Sequence, residues 1–374
     1  MGRVVTGKTP SKNDPQDWGS EIGFITPTDL ESDDKHFDSS KRRLSKEGSQ
    51  RFDSLLLPNE SILVTCIGTI GKVVMNKGVA LTNQQINSII VDTEKFDKDF
   101  AFYKIKSLVP IIKSIAIGST MPIINKSAFE NIEFEAPNLL VQKQISQILS
   151  AYDAKIENNN SIIKNLETIA ETIFDEWFVR FHFPGFEGVG FVDSEIGRIP
   201  EGWQISSLGK VSNNHDSKRI PLSSMERSKR KGHVPYYGAN GILDYVNEAI
   251  FSGEYILFAE DGTVKTKQNT PVVYLVDGDF WVNNHAHILS GKNISNYFLY
   301  LALRKINIDS YITGGVQPKI TQQNLNSIPV IVPKTKTKVE FEKIIQPIND
   351  LLKKLAKENN LLKSSRDRLL VRLM

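Results

Sequence analysis

Gly118-Ser-Thr-Met-Pro-Ile-Ile-Asn has a second version in this chain, Gly314-Gly-Val-Gln-Pro-Lys-Ile-Thr, which lies about 196 residues later. The match extends downstream at the same offset, where Ile132-Glu-Phe-Glu-Ala-Pro137 corresponds to Ile328-Pro-Val-Ile-Val-Pro333. Each version then continues into a long helical pattern. A repeat of this length is a whole domain with a helix. The sequence therefore predicts a tandem duplication with pseudo-twofold symmetry, which suits the reading of something with two halves.

The helical pattern in each copy has the heptad spacing of a coiled coil. Apolar residues recur at alternating intervals of four and three, which places them along one seam of a helix. Because an apolar stripe of this length needs a partner, we expect the two helices to pack antiparallel, with one Asn in each seam setting the register. The alternative is that each helix folds back on its own domain. The seams comprise Ile145, Leu149, Tyr152, Ile156, Asn159, Ile163 and Leu166 in the first helix, and Ile345, Ile348, Leu352, Leu355, Asn359 and Leu362 in the second.

Short strand patterns, punctuated by Gly and Asn, fill the chain around these helices. We predict an α+β fold with a first domain over residues 1–138, a long helix over 139–179, a linker and second domain over 180–336, and a second long helix over 337–374. A shorter helix is predicted over residues 100–113. The strand patterns are Ile62-Leu-Val-Thr, Lys72-Val-Val-Met, Ile89-Ile-Val and Ile132-Glu-Phe in the first copy, and Tyr255-Ile-Leu-Phe, Pro271-Val-Val-Tyr-Leu-Val and Phe280-Trp-Val in the second.

The composition is that of an ordinary globular protein, with 40% hydrophobic residues, 24% charged residues and a formal net charge of +3. No apolar run approaches the ~18 residues that would span a bilayer. The first residues, Met1-Gly-Arg-Val-Val-Thr-Gly-Lys, contain no apolar signal segment, so the sequence predicts a cytoplasmic protein. The single cysteine, Cys66, cannot form an internal disulfide.

The motifs of common catalytic sites are incomplete in this sequence. Gly68-Thr-Ile-Gly-Lys72 resembles a phosphate-binding loop but lacks the first glycine and the final hydroxyl of that motif. His285-Ala-His287 could place two imidazoles on one face of a strand, yet a third metal ligand is not evident nearby. Packed or hydrogen-bonded histidines are the better interpretation. We therefore predict a chain that is not a catalyst, with no metal and no cofactor of its own.

The polar loops and basic runs of both copies suit contact with DNA. Amide side chains bond adenine, Arg and Lys bond guanine, and Gly-rich turns offer backbone N–H groups to phosphate. Ordinary turn formation is the alternative for any single residue. The candidate contacts are Lys72, Asn83, Gln84, Gln85 and Lys126 in the first copy, and Arg227, Lys229, Arg230, Lys231, Asn284, His285 and Lys319 in the second.

The order of several motifs resembles that of the specificity subunits of type I restriction-modification enzymes. Besides the two glycine loops, the motifs are Gly2-Arg-Val-Val-Thr-Gly-Lys-Thr-Pro10, Ile25-Thr-Pro-Thr-Asp29, Ile67-Gly-Thr-Ile-Gly71, Glu176-Trp-Phe-Val-Arg-Phe181, Ile196-Gly-Arg-Ile-Pro-Glu-Gly-Trp203 and Trp281-Val-Asn-Asn-His-Ala-His287. The resemblance implies two target recognition domains, each reading half of a bipartite DNA site, with the two long helices as the spacer between them. It also implies two methyltransferase subunits that flip and methylate adenine with S-adenosylmethionine, and restriction subunits that use ATP and Mg²⁺.

Two other interpretations remain at this point: the specificity chain of a combined nuclease-methyltransferase of type IIG, and a coiled-coil adaptor without DNA affinity. The first copy also departs from the pattern of the second. Met1 aligns with Leu208, so the counterpart of Trp203-Gln-Ile-Ser-Ser is missing. Either translation begins earlier, or the first domain lacks its first strand.

Overall fold

The computed structural model describes residues 1–11, 13–30, 34–37, 40–118, 121–315 and 317–374. These residues form two compact units, Met1–Ser161 with Ala356–Met374, and Ile162–Leu355. The repeated Gly-x-x-x-Pro loops span residues 118–122 and 314–318. Three of their residues lie outside the described residues: Ser119, Thr120 and Val316. Each unit contains part of both long helices, so each can be described with its own helix pair.

Unit 1 is built around a five-stranded sheet of order β1-β8-β5-β6-β3, with a three-stranded sheet of order β4-β2-β7. The strands are β1 (Gly2–Thr6), β2 (Trp18–Ile25), β3 (His36–Phe37), β4 (Arg42–Leu44), β5 (Ile62–Thr65), β6 (Val73–Asn76), β7 (Ala80–Thr82) and β8 (Ile86–Val91). The short helices are α1 (Lys46–Arg51), α2 (Lys98–Ser107), α3 (Val109–Ser114) and α4 (Lys126–Glu130). The helix predicted over residues 100–113 is divided into α2 and α3 because Pro110 cannot donate a backbone hydrogen bond.

Unit 2 contains sheets of order β12-β19-β16-β17 and β14-β13-β18-β15, and two-stranded pairs β9-β10 and β11-β20. Its strands are β9 (Phe191–Ser194), β10 (Gly197–Pro200), β11 (Gln204–Ser207), β12 (Ser212–Asn214), β13 (Lys231–Gly238), β14 (Gly241–Val246), β15 (Phe251–Ser252), β16 (Tyr255–Ala259), β17 (Val273–Val276), β18 (Asp279–Val282), β19 (Ala286–Gly291) and β20 (Pro329–Val332). The two long helices are α5 (Leu139–Phe174) and α10 (Thr335–Leu373), and the short ones within unit 2 are α6 (Leu208–Val211), α7 (Ser224–Lys229), α8 (Asn296–Leu303) and α9 (Gln322–Ser327).

The two units repeat the same strand order. The order β1-β8-β5-β6 in unit 1 recurs as β12-β19-β16-β17 in unit 2. The parallel pairing of β2 with β7 recurs as the parallel pairing of β13 with β18. The predicted tandem duplication of an α+β domain is therefore confirmed at the level of sheet topology.

The long helices pair antiparallel within unit 1, as the heptad pattern predicts. Asp153 of α5 contacts Arg366 of α10, and Asn159 lies 3.0 Å from Asn359, so the two sequences run in opposite directions. In unit 2, a five-residue π-helical turn, Asp175–Val179, continues α5. The predicted seam residues are all buried or half-buried; those buried are Leu149, Ile156, Asn159, Ile345, Leu355 and Asn359, and those half-buried are Ile145, Tyr152, Ile163, Leu166, Ile348, Leu352 and Leu362.

One predicted strand, Ile132-Glu-Phe, is wrong: residues 132–138 contain no strand. Its counterpart in unit 2, β20, exists because it pairs with β11, with Ile331 opposite Ile205. In unit 1, no strand among the described residues pairs with residues 132–135. Ile132 and Phe134 still pack against the core, whereas Glu133 and Glu135 are exposed.

Candidate nucleic-acid interface

Three segments meet at the same place in each unit, and we refer to this place as the corner. In unit 1 they are residues 66–68, 83–85 and 122–124, and in unit 2 they are residues 260–262, 283–285 and 318–320. The N–H of Cys66 donates to the carbonyl of Gln85 at 2.8 Å, and the N–H of Ile124 donates to the carbonyl of Cys66 at 2.9 Å. In unit 2, Glu260 donates to His285 at 2.9 Å and Ile320 donates to Glu260 at 2.8 Å. The backbone of the corner is therefore the same in both copies.

Two smaller features complete this shared backbone. The side-chain oxygen of Asn83 accepts from the N–H of Gln85 at 3.1 Å, and that of Asn283 accepts from the N–H of His285 at 2.8 Å. Gly68 and Gly262 both have positive φ, at 75° and 76°, a conformation that glycine adopts without steric cost. The Asn at this position thus has a structural role in both units, which is the turn-forming alternative that the sequence left open.

The side chains at the corner of unit 2 form a network of charges. Arg219 lies 2.6 Å from Glu260 and 3.4 Å from Asp216, and Lys319 lies 3.1 Å from the other oxygen of Glu260. His285 lies 2.8 Å from Asp261. The ammonium of Lys319 and the ring of His285 are each nearly half exposed. The network therefore holds hydrogen-bond donors at the surface in fixed positions.

The buried side chain of His287 also belongs to this network. Its side chain is 2% exposed, its Nδ1 lies 2.5 Å from a carboxylate oxygen of Asp216, and its Nε2 lies 2.9 Å from the carbonyl of Ile320. Both partners are oxygen atoms that accept hydrogen bonds, so the buried ring is held between the carboxylate of Asp216 and the backbone of Ile320. The two predicted histidines are thus hydrogen-bonded, as the sequence interpretation preferred.

The same corner in unit 1 is largely apolar. Cys66 stands at the position of Glu260, and burial raises the pKa of its thiol to about 11. Asn87 stands at the position of His287, and its side-chain oxygen accepts from the hydroxyl of Thr6 at 2.6 Å. Ile123 stands at the position of Lys319. One backbone therefore presents two different chemical surfaces.

The structure brings some of the predicted contact residues together at the corners. Asn284, His285 and Lys319 share the corner of unit 2, and Gln84 and Gln85 share that of unit 1, where Gln84 accepts from the hydroxyl of Thr9 at 2.8 Å. Lys126 begins α4, two residues after Ile124. The Nζ of Lys72 donates to the carbonyl of Leu30 at 2.6 Å. Their contact with DNA remains a prediction.

The basic run of residues 227–231 lies on a different sheet, along α7 and β13. Arg227 and Lys231 lie 3.2 and 2.6 Å from Asp244, and Arg230 pairs with Glu248. Arg227 also lies over the ring of Tyr236 at 5.2 Å. Lys229 is exposed at the end of α7. Three of these four cations are thus engaged by carboxylates on β14 or just after it, and their predicted role with DNA would require exchange of those partners for phosphate.

One group of the described residues has the geometry of a cation site. Asp216, Glu260 and His287 offer ligand atoms that all lie within 4.8 Å of one another. Both carboxylates already contact Arg219, and both imidazole nitrogens already lie within hydrogen-bond distance of Asp216 and Ile320. Binding a metal ion here would require displacement of a guanidinium and of a hydrogen-bond partner of the ring, so the arrangement fits an ion-pair network better than a coordination site.

A comparison with known families decides the identity of the chain. Residues 1–168 and 200–364 match the type I restriction modification DNA specificity domain, once in each copy of the repeat. The chain belongs to the family of type I restriction-modification specificity subunits. Within the described residues, no helix of this specificity subunit is long and apolar enough to cross a bilayer.

Similar proteins carry the same description, and this chain matches most of their length. The MjaIX specificity subunit of Methanocaldococcus jannaschii is 26% identical over 396 residues, which covers 100% of this chain and 90% of that protein. The EcoprrI specificity subunit of Escherichia coli is 22% identical and covers 92% and 84%. A crystal structure of the S subunit from M. genitalium has the same fold, with a TM-score of 0.53 and 19% identity over 100% of this chain and 93% of that one. Membership of the family implies a complex with methyltransferase and restriction subunits and with DNA.

The sequence analysis did not identify several residues of the specificity subunit's corners. They are Asp216, Arg219, Glu260 and Asp261 in unit 2, and Ile67, Ile117 and Ile123 in unit 1. A signal was present. The alignment of Pro122 with Pro318 pairs the next residues, Ile123 and Lys319, and the alignment of Gly68 with Gly262 pairs Cys66 with Glu260. Position-by-position comparison of the two copies would have marked these sites, because their backbone is shared and their chemistry is not.

We expect acid to destabilise the corner of unit 2. Burial raises the pKa of the Asp216 and Glu260 carboxyls. At Asp216 it is outweighed by His287, the N–H of Ile288 and Asn214, and at Glu260 by Arg219, His287 and Lys319, so the two pKa values lie below their ordinary values of 3.8 and 4.5. A depressed carboxyl pKa contributes stability above the unfolded value, and this stability is lost as the pH falls through the folded value. The melting temperature measured from neutral pH down through the carboxyl range should fall less steeply in Glu260→Gln than in the parent. Identical slopes would contradict the network.

Proposed function

We propose that this specificity subunit reads a bipartite DNA target, with one half-site read at each unit, and that it has no catalytic step of its own. The observation that carries the proposal is the corner: the same hydrogen-bonded backbone occurs twice and bears charged side chains in one copy and apolar side chains in the other. A duplicated framework with divergent surfaces is what two different half-sites require. In this proposal, Lys319, His285 and Asn284 would donate to base edges or phosphates.

The same proposal assigns the chemistry to partner chains. Two methyltransferase subunits would each take an adenine out of the duplex and methylate it with S-adenosylmethionine, and restriction subunits would cut unmodified DNA with ATP and Mg²⁺. The relatives support this division, since they are described as specificity subunits. Such a chain would work in the cytoplasm, where its DNA is. The type IIG interpretation is not favoured by these relatives, and it predicts that the purified chain alone modifies DNA when given Mg²⁺ and S-adenosylmethionine.

The paired helices supply the test, because their length would set the distance between half-sites. The contact between Asn159 and Asn359 adjoins residues 160–166 of α5 and residues 352–358 of α10. Removing both stretches therefore deletes one heptad from each helix of the pair. At 1.5 Å per residue, the deletion shortens the pair by about 10 Å, or about three base pairs. We expect the assembled complex to methylate the same half-sequences separated by a gap shorter by about that amount.

The methylated adenines are mapped by sequencing DNA from cells that carry the parent or the deleted chain. The matched control replaces exposed residues of the same two stretches with Ala and keeps their length, and it should leave the gap unchanged. Changed half-sequences with an unchanged gap would contradict the spacer role. Binding that does not weaken as salt rises would contradict DNA binding itself.

A further inference from the structure

Three isoleucines form one apolar surface at the corner of unit 1, where Ile117 and Ile123 are exposed and Ile67 is half-buried. Ile123 pairs with Ile67 on one side and with Ile117 on the other, in antiparallel bridges. Ile117 and Ile123 exchange both backbone hydrogen bonds, at 3.0 and 2.9 Å. Directly paired residues point to the same face with their Cβ atoms about 5 Å apart. We call Ile67, Ile117 and Ile123 the isoleucine trio; Ile117 is 75% exposed and Ile123 is 42% exposed.

Unit 2 has the same three positions in the same pairing with polar side chains. Lys319 pairs with Asp261 on one side and with Thr313 on the other. Thr313 and Lys319 also exchange both backbone hydrogen bonds, at 2.8 and 2.7 Å. The fold therefore accepts an acid, a hydroxyl and an amine at these positions, and packing does not require isoleucine there. Because the fold does not require apolar side chains at these positions, we attribute the isoleucines of unit 1 to the molecule that this surface binds.

The side chains around the isoleucine trio suit contact with a polyanion that also carries small apolar groups. The exposed side chains nearby in the sequence include Met121 on the same loop, Lys113 at the end of α3 and Lys126 at the start of α4. Gln84 of the same corner is exposed as well. Positive charge favours contact with phosphate, whereas the apolar face needs an apolar group. In the major groove of DNA, the only such group is the 5-methyl of thymine.

We propose that the isoleucine trio is a specificity-determining surface that reads thymine methyl groups in the first half-site. The proposal rests on the function proposed above and names the base feature recognised at one of its two corners. In unit 2 the charged side chains of Asp261 and Lys319 hold two of the equivalent positions and Thr313 holds the third, so the corner of unit 2 lacks the continuous apolar surface that we assign to methyl contacts. One half of the target should therefore depend on thymine methyls, and the other should not.

The test uses the specificity subunit assembled with its methyltransferase partner and the target mapped from genomic methylation. Deoxyuridine replaces thymidine in one half-site at a time, which removes the methyl and leaves every hydrogen bond. Affinity should fall about fourfold for each methyl in contact, as expected from burial of one methyl group. The fall should occur in one half-site alone.

The variant Ile67→Asp/Ile117→Thr/Ile123→Lys carries the unit 2 chemistry into unit 1 and should abolish the sensitivity to deoxyuridine. Ile111→Thr, at an exposed isoleucine of α3 outside the trio, is the matched control and should retain it. Because Ile117 is 75% exposed, Ile117→Asn alone replaces the triple variant if that variant is unstable, and it should reduce the sensitivity to deoxyuridine.

Each remaining outcome counts against the inference. Equal affinity for thymidine and deoxyuridine duplexes in both halves, with preference for the mapped target intact, overturns the trio's role and leaves the proposed function standing. Sensitivity that persists in the triple variant overturns it as well. Loss of methyltransferase assembly with unchanged sensitivity would make the trio a protein-binding surface. A parent complex that prefers no sequence at all would overturn the proposed function together with the inference.

Discussion

Replacing Phe341 with Ala should destabilise unit 2 by about 3–5 kcal/mol, as expected when a fully buried aromatic ring is removed. Phe341 is 0% exposed at the start of α10. Its ring centroid lies 4.7 Å from that of Phe178, 5.9 Å from that of Phe174 and 5.7 Å from that of Phe298. The substitution removes a ring that contacts α5, the π-helical turn and α8 at once. The free energy of unfolding is measured by urea denaturation.

The control is Val339→Ala on the same helix, where the side chain is 44% exposed. We expect a loss within about 0.5 kcal/mol, as for surface substitutions in general. Similar losses for the two variants would show that the aromatic cluster does not carry the stability of unit 2. A second probe is the fluorescence of Trp177 and Trp203, whose rings belong to the same cluster.

Replacing Arg366 with Met should destabilise unit 1 by about 3–5 kcal/mol, because it leaves a buried carboxylate without its cation. Arg366 of α10 pairs with Asp153 of α5, and each side chain is 5% exposed. Tyr103 donates its hydroxyl to the other oxygen of Asp153 at 2.5 Å. Methionine fills a similar volume to arginine and removes the charge. The loss is read from the same urea titration.

Two further variants separate the charge from its surroundings. Lys155→Ala removes an ion pair between the same helices, in which the Nζ of Lys155 lies 3.7 Å from a carboxylate oxygen of Glu358 and both side chains are about half exposed. It should lower the free energy of unfolding by less than about 1 kcal/mol. The triple variant Tyr103→Phe/Asp153→Leu/Arg366→Met removes the whole polar group and should recover most of the loss. A triple variant as unstable as Arg366→Met would assign the loss to packing instead of the uncompensated charge.

The helices and the duplication could be predicted from the sequence because both are periodic signals. Heptad spacing from Ile145 to Leu166 depends only on which residues are apolar, and that is sufficient to place one face of a helix against a partner. The single Asn of each seam was expected to set the register, and the two do meet. Strands such as β5 and β16 were predictable because each is a short, mainly apolar run between turns.

The remaining differences come from contacts between residues distant in the chain. Ile132-Glu-Phe has a strand pattern, but a strand requires a hydrogen-bonding neighbour, and only β20 has one. The charge network of unit 2 joins Arg219, Glu260 and His287 across about 70 residues of sequence, so no local pattern revealed it. For the same reason, the basic run at residues 227–231 looked free in the sequence, although Asp244 and Glu248 neutralise much of it.

The segment from Ile132 to Glu135 has a consequence for self-association. The N–H of Ile132 donates to the carbonyl of Phe129 at 3.5 Å, and no strand among the described residues pairs with the segment. Unpaired strand edges recruit other extended chains and promote aggregation. Its alternate positions, Glu133 and Glu135, correspond to Pro329 and Ile331 of the paired strand β20. Charged side chains on an open edge repel incoming strands. Glu133 and Glu135 would therefore disfavour edge-to-edge stacking at a place where an apolar sequence would permit it.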